Sequence, residues 1–417
     1  MRIGMILDRS GGFPPDLRVE KESRALCAAG FDVALLCARA TPDQQRDEVC
    51  HYGLKLRRVD VPRLSRLSRL AQGLRWAFTG SPVRAEWRKP IEDFLGQFRP
   101  DVLHCHDLPI VPAALAVTER SHLPVIADLH ENWVSLRADR VATSPPLRKL
   151  RLKMIREVRK WERVECDTLR RCQRILIVSP ESSDRLTRVY GIPQDRIVLV
   201  SNTEDEARFC GGGLDPDILE RYRGFWTVSY IGDLAPNRGI ATAIRAVAAV
   251  ARQVPAFKLL LVGVRDKCGR RLACLARSLG VASHVEFVGW VPAEKVASYI
   301  AASAACLVPH LPSEYMRAAL PHKLFQYMLM GKPVVVSDCA SLERVVGESG
   351  AGPAFRGGDA SDLARCLIEL WHQGEEALAR YGENGRRAAL GPYAWRHDAQ
   401  RLAEMYRQLE AALPHEA

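Results

Sequence analysis

No apolar run in this chain approaches the roughly 18 to 20 residues that a helix needs to cross a bilayer, which excludes an evident membrane span. The opening stretch, residues 1–7, is short, ends at Asp8 and lacks a small-residue cleavage site. It reads as a first β-strand and not as a signal peptide, so the protein is expected to be cytoplasmic. The 12 cysteines have no regular spacing, which argues for reduced, mostly buried thiols and against a disulfide framework. Aromatic residues make up only 7% and are not interleaved as a base-stacking platform in the basic stretches, so nucleic acid is not an expected partner. A Gly-x-Gly-x-x-Gly dinucleotide loop is also missing. What remains, 47% hydrophobic and 26% charged residues over 417 positions, excludes disorder and is long enough for two domains of roughly 200 residues each.

The charge of +11 is unevenly placed. Residues 1–200 hold 35 of the 60 Lys and Arg but only 25 of the 49 Asp and Glu. The excess clusters in residues 57–89 and 148–174, which suggests a face meeting a polyanion. Residues 147–161 place Leu147, Leu150, Met154, Val158 and Trp161 at steps of three and four, with basic residues on the other face. Such a helix is either solvated on its basic side or laid on anionic lipid headgroups at the inner face of a membrane.

Strand-like runs alternate with helical segments along the whole chain, which predicts an α/β protein built of parallel layers. Strands are expected at 3–7, 33–37, 102–104, 125–127 and 175–178, then at 227–231, 258–262, 285–288, 305–308 and 334–336. Helices are expected at 19–29, closed by Gly30, and at 240–254. The expected division is a first Rossmann-like domain at 1–200, a linker at 201–224 containing three glycines, a second Rossmann-like domain at 225–391, and a C-terminal helical stretch at 392–417 that crosses back. Two doubly wound sheets in tandem imply a central cleft, with ligands at the C-terminal ends of the strands.

The most suggestive chemistry lies between residues 310 and 338. A helix opening near Pro321 and ending at Gly331 feeds the strand within KPVVVSD, so the N–H groups of His322, Lys323 and Leu324 would face a bound anion. Lys323 and Gln326 share one helical face, suited to a phosphate and a ribose hydroxyl. A second loop, residues 230–239 (YIGDLAPNRG), carries Gly232 and Gly239 for close backbone approach and Arg238 as a cation for a leaving diphosphate. After a third strand, backbone groups near Gly289, Trp290 and Val291 could pair with a base edge, although Trp290 fits a core position equally well. Asp215-Pro216-Asp217 has metal-binding spacing, but an N-cap followed by proline at the first helical position explains it. His104 and His106 have the composition of a metal site; alternation along the strand is read as setting them on opposite faces, which disfavours zinc. His130, at a strand end in DLHE, could reach a ligand.

Taken together, residues 13–22 (FPPDLRVEKE), 101–109 (DVLHCHDLP), 128–131 (DLHE), 178–179, 232–239, 323–328 (KLFQYM) and 331–338 (GKPVVVSD) resemble, in order, the motifs of glycosyltransferase family 4. The resemblance implies the GT-B fold and transfer of a sugar from a UDP- or GDP-type nucleoside diphosphate donor, with retention and without a required metal or other cofactor. It implies that Arg238 and Lys323 hold the diphosphate and that Gln326 stands at a ribose-binding position usually held by glutamate. His130 would lie near the transferred sugar, Gly11 and Gly12 along the cleft, and Asp16, Arg18, His106 and Asp107 toward a glycan or lipid-linked acceptor of surface polysaccharide or glycoconjugate synthesis. Three departures stand out: Ala318 and Gln326 replace the family's paired glutamates, and Asp233 follows Gly232 where a basic residue is usual. Glu314 is close enough in sequence to substitute for the first glutamate. These departures also motivate two alternatives, a noncatalytic nucleotide-sugar-binding partner of another transferase and a sugar-nucleotide epimerase.

Overall fold

The computed structural model describes residues 1–8, 13, 16–61, 84–142, 152–263 and 267–413. The chain divides into two compact units, residues 1–201 with 398–417, and residues 202–397.

The first unit is built on an eight-stranded sheet in the order β3-β4-β2-β1-β5-β6-β7-β8. Its strands are β1 Arg2–Leu7, β2 Asp32–Ala38, β3 Asp47–Val49, β4 Lys55–Val59, β5 Val102–His106, β6 Val125–Leu129, β7 Arg174–Ile177 and β8 Ile197–Leu199. All neighbours pair in parallel except β3 and β4. β1 lies between β2 and β5, with Ile3 opposite Val33 and Val102. A strand paired on both edges and covered on both faces must be apolar throughout; Ile3, Met5, Ile6 and Leu7 are accordingly buried. The first helix, Leu17–Ala28, starts where Asp16 accepts from the backbone N–H groups of Arg18 and Val19, and the chain reverses at Gly30, with φ of 90°. One face of the sheet packs Trp87, Ile91 and Phe94 of the helix Ala85–Phe98 with Ile110, Val111 and Trp161. The C-terminal helix, Trp395–Ala412, contributes to this unit from residue 398 onward: the Tyr406 hydroxyl lies 2.7 Å from His104 Nδ1.

The second unit carries a six-stranded parallel sheet in the order β11-β10-β9-β12-β13-β14. The strands are β9 Trp226–Ile231, β10 Phe257–Val262, β11 Val285–Gly289, β12 Ala305–Val308, β13 Val334–Ser337 and β14 Ala354–Phe355. Ile244, Val247 and Val250 of the alanine-rich helix Ile240–Ala251 pack with Leu363 and Leu367 of the helix Ala360–His372 over Val228 and Leu259. Residues 202–224 cluster with this unit and contain two short helices, Glu206–Phe209 and Pro216–Arg221. Asp215 caps the latter by accepting from Asp217 N at 3.0 Å and also pairs with Lys295, so its carboxylate is committed to local structure.

The helix read at 147–161 is seen as Leu152–Arg171, with Trp161 buried and Arg159 and Arg163 exposed; most of the first basic cluster, and residues 147–151 of the second, lie outside the described residues. Among the described residues, no helix is long and apolar enough to cross a membrane.

Candidate functional site

In the second unit, β9 ends at Ile231, whose N–H donates to the Tyr327 hydroxyl at 2.9 Å. Gly232 follows with φ of 131°, and a Cβ there would lie 2.7 Å from Lys323 Nζ. The positive φ is what favours glycine here, the Lys323 ammonium being the movable end of a flexible side chain. Lys323 is in the first turn of the helix His322–Leu329, which has no side-chain N-cap, and its ammonium sits 3.7 Å from the centroid of the Tyr230 ring. Among the described residues Arg238, at the end of the loop, reaches Met316 Sδ, at 4.0 Å. Gly239 next to it has φ of 71°, and a Cβ there would meet the Pro309 carbonyl at 1.7 Å, so this loop and the segment after β12 touch backbone to backbone.

Neither Arg238 nor Lys323 has a carboxylate partner among the described residues. Burial, reinforced by the nearby Arg238 charge, pushes the Lys323 ammonium well below its usual range, against a weaker opposing pull from Asp233. Two cations within electrostatic reach of each other, beside a helix N-terminus and lacking a counter-ion, describe a site for an anion. Lys323 lies against Gly232 and feels the charge of Arg238, and Gly239 follows Arg238 at the end of the loop. His322 and Leu324 flank Lys323, Leu324 being buried in the core.

Gln326, one turn further on, donates from Nε2 to Glu204 Oε2 at 2.7 Å. Glu204 is 2% exposed. Sequence reading missed this carboxylate because the partner lies 122 residues upstream. Asp233 is exposed, and its carbonyl accepts from the Tyr230 hydroxyl at 2.6 Å. Glu314 is also exposed. Gly289, φ 90°, ends β11, two strands from β9; Trp290 beyond it is 71% exposed, which settles that it is not a core residue, and Val291 is half-buried.

The first unit holds a buried network at the ends of β5 and β6. Asp128, fully buried, accepts from Arg18 Nε at 3.0 Å and Nη2 at 2.6 Å, pairs with His106 Nδ1 at 3.0 Å, and lies 2.8 Å from His130 Nε2. Arg18 also donates to the Val200 carbonyl at 2.7 Å and lies 3.0 Å from Glu22. Burial disfavours the Asp128 charge, but Arg18 and His130 outweigh it and hold the carboxyl well below its usual range. For His130 burial acts against protonation, yet Asp107 and Asp128 on its two sides raise it to about 10. His106, desolvated and next to His104, is pushed down to about 3 and is neutral. Burial raises Asp107 to about 6; its side chain is 37% exposed, and its φ of 68° is unusual for a residue other than glycine.

Three expectations are corrected by these contacts. Asp16 and Arg18, read as lining an acceptor, serve instead as helix cap and core counter-ion, Arg18 being 3% exposed. His106, given the same role, is fully buried against Asp128. His104 and His106 share one face of β5, with ring centroids 4.4 Å apart, because residues i and i+2 of a strand point the same way. Together with Glu22 and Asp128 they form a cluster whose ligand-type atoms lie within 4.8 Å of one another, and the cation seated against both carboxylates is Arg18. Gly11 and Gly12 lie outside the described residues.

The His130 shift sets a pH dependence. A folded-state value above the unfolded one means that stability is complete below about pH 6.5 and is lost as pH rises through about 10. His130→Gln is therefore expected to flatten the alkaline fall of the thermal midpoint across that window. Superimposable profiles for the variant and the native protein would show that His130 is not a buried imidazolium.

Residues 16–203 match the family model described as a glycosyl transferase 4-like domain, and residues 226–373 match that of glycosyl transferases group 1. The chain belongs to this glycosyltransferase family, and its two parallel-sheet units have the GT-B architecture. The D-inositol 3-phosphate glycosyltransferase of Nocardia farcinica (strain IFM 10152) is 27% identical over 248 residues, 56% of this chain and 52% of that protein, so the match spans about half the length of that relative. The glycogen synthase of Mycobacterium tuberculosis (strain ATCC 25618 / H37Rv) is 24% identical over 427 residues, covering 97% of this chain and 94% of the other. Among solved structures, sucrose-phosphate synthase from Thermosynechococcus elongatus has a TM-score of 0.79 at 19% identity, covering 99% of this chain and all of that one. Anabaena Alr3699/HepE in complex with UDP and glucose has a TM-score of 0.71 at 15% identity, covering 98% of this chain and 100% of the other.

Proposed function

We propose that this protein transfers a sugar from a nucleoside diphosphate donor of the UDP or GDP type to a glycan or lipid-linked acceptor, with retained anomeric configuration. The observation that carries this reading is the pair Arg238 and Lys323, two unneutralised cations at glycine-lined strand ends. In transfer, the bond from the anomeric carbon to the distal phosphate oxygen breaks and one to the acceptor oxygen forms. Negative charge develops on the departing diphosphate, where fixed cations lower the barrier. The nearby amide of Gln326, with Glu204 behind it, is suited to the ribose hydroxyls. Trp290, about 10 Å along the sheet by two strand spacings, is suited to the base. The donor chemistry agrees with relatives crystallised with UDP and sugar.

Incubation with radiolabelled UDP-, GDP- and dTDP-sugars and a panel of glycan and lipid-linked acceptors tests the reading. Labelled product from one donor is expected. Absence of transfer from every donor, with nucleotide still bound, would favour a noncatalytic nucleotide-sugar-binding partner, the reading that Ala318 and Gln326 motivate. Conversion of the donor without any acceptor would point to an epimerase.

A further inference from the structure

His310 lies two residues beyond β12 and is completely buried. Among the described residues, neither of its ring nitrogens has a hydrogen-bond partner. A buried polar group without a partner costs stability that an apolar side chain would not, so orphaned nitrogens in a well-packed interior call for a reason. Ordinary packing does not provide one: among the described residues no carbonyl or carboxylate accepts from the ring and no N–H or O–H donates to it, and the charges it feels are those of Arg238 and Lys323.

The surroundings of the ring identify what is missing. The segment bearing His310 is joined to the loop bearing Arg238: Leu311 N donates to the Asn237 carbonyl at 3.0 Å, and Gly239 rests on the Pro309 carbonyl. Burial, Arg238 and Lys323 act in the same direction on the imidazole and keep it neutral. A neutral imidazole has one N–H to donate and one nitrogen to accept. Among the described residues Arg238 is held by a long contact to Met316 sulfur, which leaves its guanidinium available to a phosphate that also meets the nearby ring.

We propose that His310 is a third ligand-holding side chain of this cradle, donating one ring N–H to a phosphate oxygen of the nucleoside diphosphate held by Arg238 and Lys323. The proposal rests on the donor reading above. Its chemical consequence is an added hydrogen bond without an added charge, which strengthens the grip on the diphosphate less than a third cation would and leaves release of the product feasible.

Calorimetric titration of UDP, GDP and dTDP into the native protein, His310→Phe and His310→Gln tests it. His310→Phe keeps a ring and removes both nitrogens; it is expected to bind the preferred diphosphate roughly 10-fold more weakly, with an unchanged or higher thermal midpoint in the free protein. His310→Gln, which restores a neutral N–H donor, is expected to recover much of the affinity. A second measurement needs no altered core: in 15N-labelled native protein, the His310 ring N–H signal, assigned by its loss in His310→Gln, should move downfield on adding the diphosphate. Native-like affinity in His310→Phe, or a ring signal that ignores the ligand, overturns the proposal while leaving the donor reading intact. Failure of the native protein to bind any of the three diphosphates removes both.

Discussion

Replacing Lys323 by alanine is expected to lower kcat by about 10²- to 10³-fold, and replacing Arg238 by alanine to do the same, the usual cost of losing one preorganised stabiliser of developing charge. The expectation has a second half that makes it specific. Lys323 is desolvated, has no carboxylate partner among the described residues and feels the like charge of Arg238. A cation so placed weakens the ligand-free fold, so Lys323→Met should raise the thermal midpoint while abolishing most activity. Steady-state kinetics paired with thermal melts read both halves. A structural lysine would lose stability and activity together, whereas a surface lysine would lose neither; either pattern would remove Lys323 from the donor site.

How much of this was legible beforehand follows from which interactions are local. The ten core strands could be read because strands buried on both faces are continuous runs of Val, Ile and Leu, as in Val334–Ser337 and Ala305–Val308. Asp47–Val49, an edge strand, and Lys55–Val59 beside it escaped because charged residues such as Asp47 and Arg57 interrupt the apolar pattern there and pair with each other. The residues proposed to face phosphate stood out in the sequence as well, since Gly232, Gly239 and the turn before the helix His322–Leu329 are backbone features written in short segments. Long-range electrostatics was not. No local pattern says that the glutamate missing at Gln326 is accompanied by Glu204, that Arg18 turns inward to Asp128, or that His310 has no partner. A charged residue in an amphipathic helix looks solvent-facing until the strand it packs on proves to carry the opposite charge.

Arg18 supplies the other large effect, and it distinguishes a residue of the fold from a residue of the ligand site. Arg18→Ala is expected to cost about 3 to 5 kcal/mol, because removing one partner of a buried ion pair leaves the other charge uncompensated. Here the stranded groups would be Asp128, with its pairing reduced to His106 and His130, and Glu22, already pushed up to about 7 by burial. A loss of that size is a large fraction of the 5 to 15 kcal/mol that holds a typical domain together, so the first unit should unfold at markedly lower denaturant while nucleotide binding by the second persists. Changing both partners, Arg18→Met with Asp128→Leu, should cost less than Arg18→Ala alone, since two apolar side chains leave no orphaned charge. Had Arg18 lined an acceptor site, as the family resemblance implied, the order would be reversed: Arg18→Ala would melt like the native protein and show a raised KM for acceptor. Denaturant titration of the three proteins, with acceptor kinetics on those that stay folded, decides between a counter-ion of the core and a substrate contact.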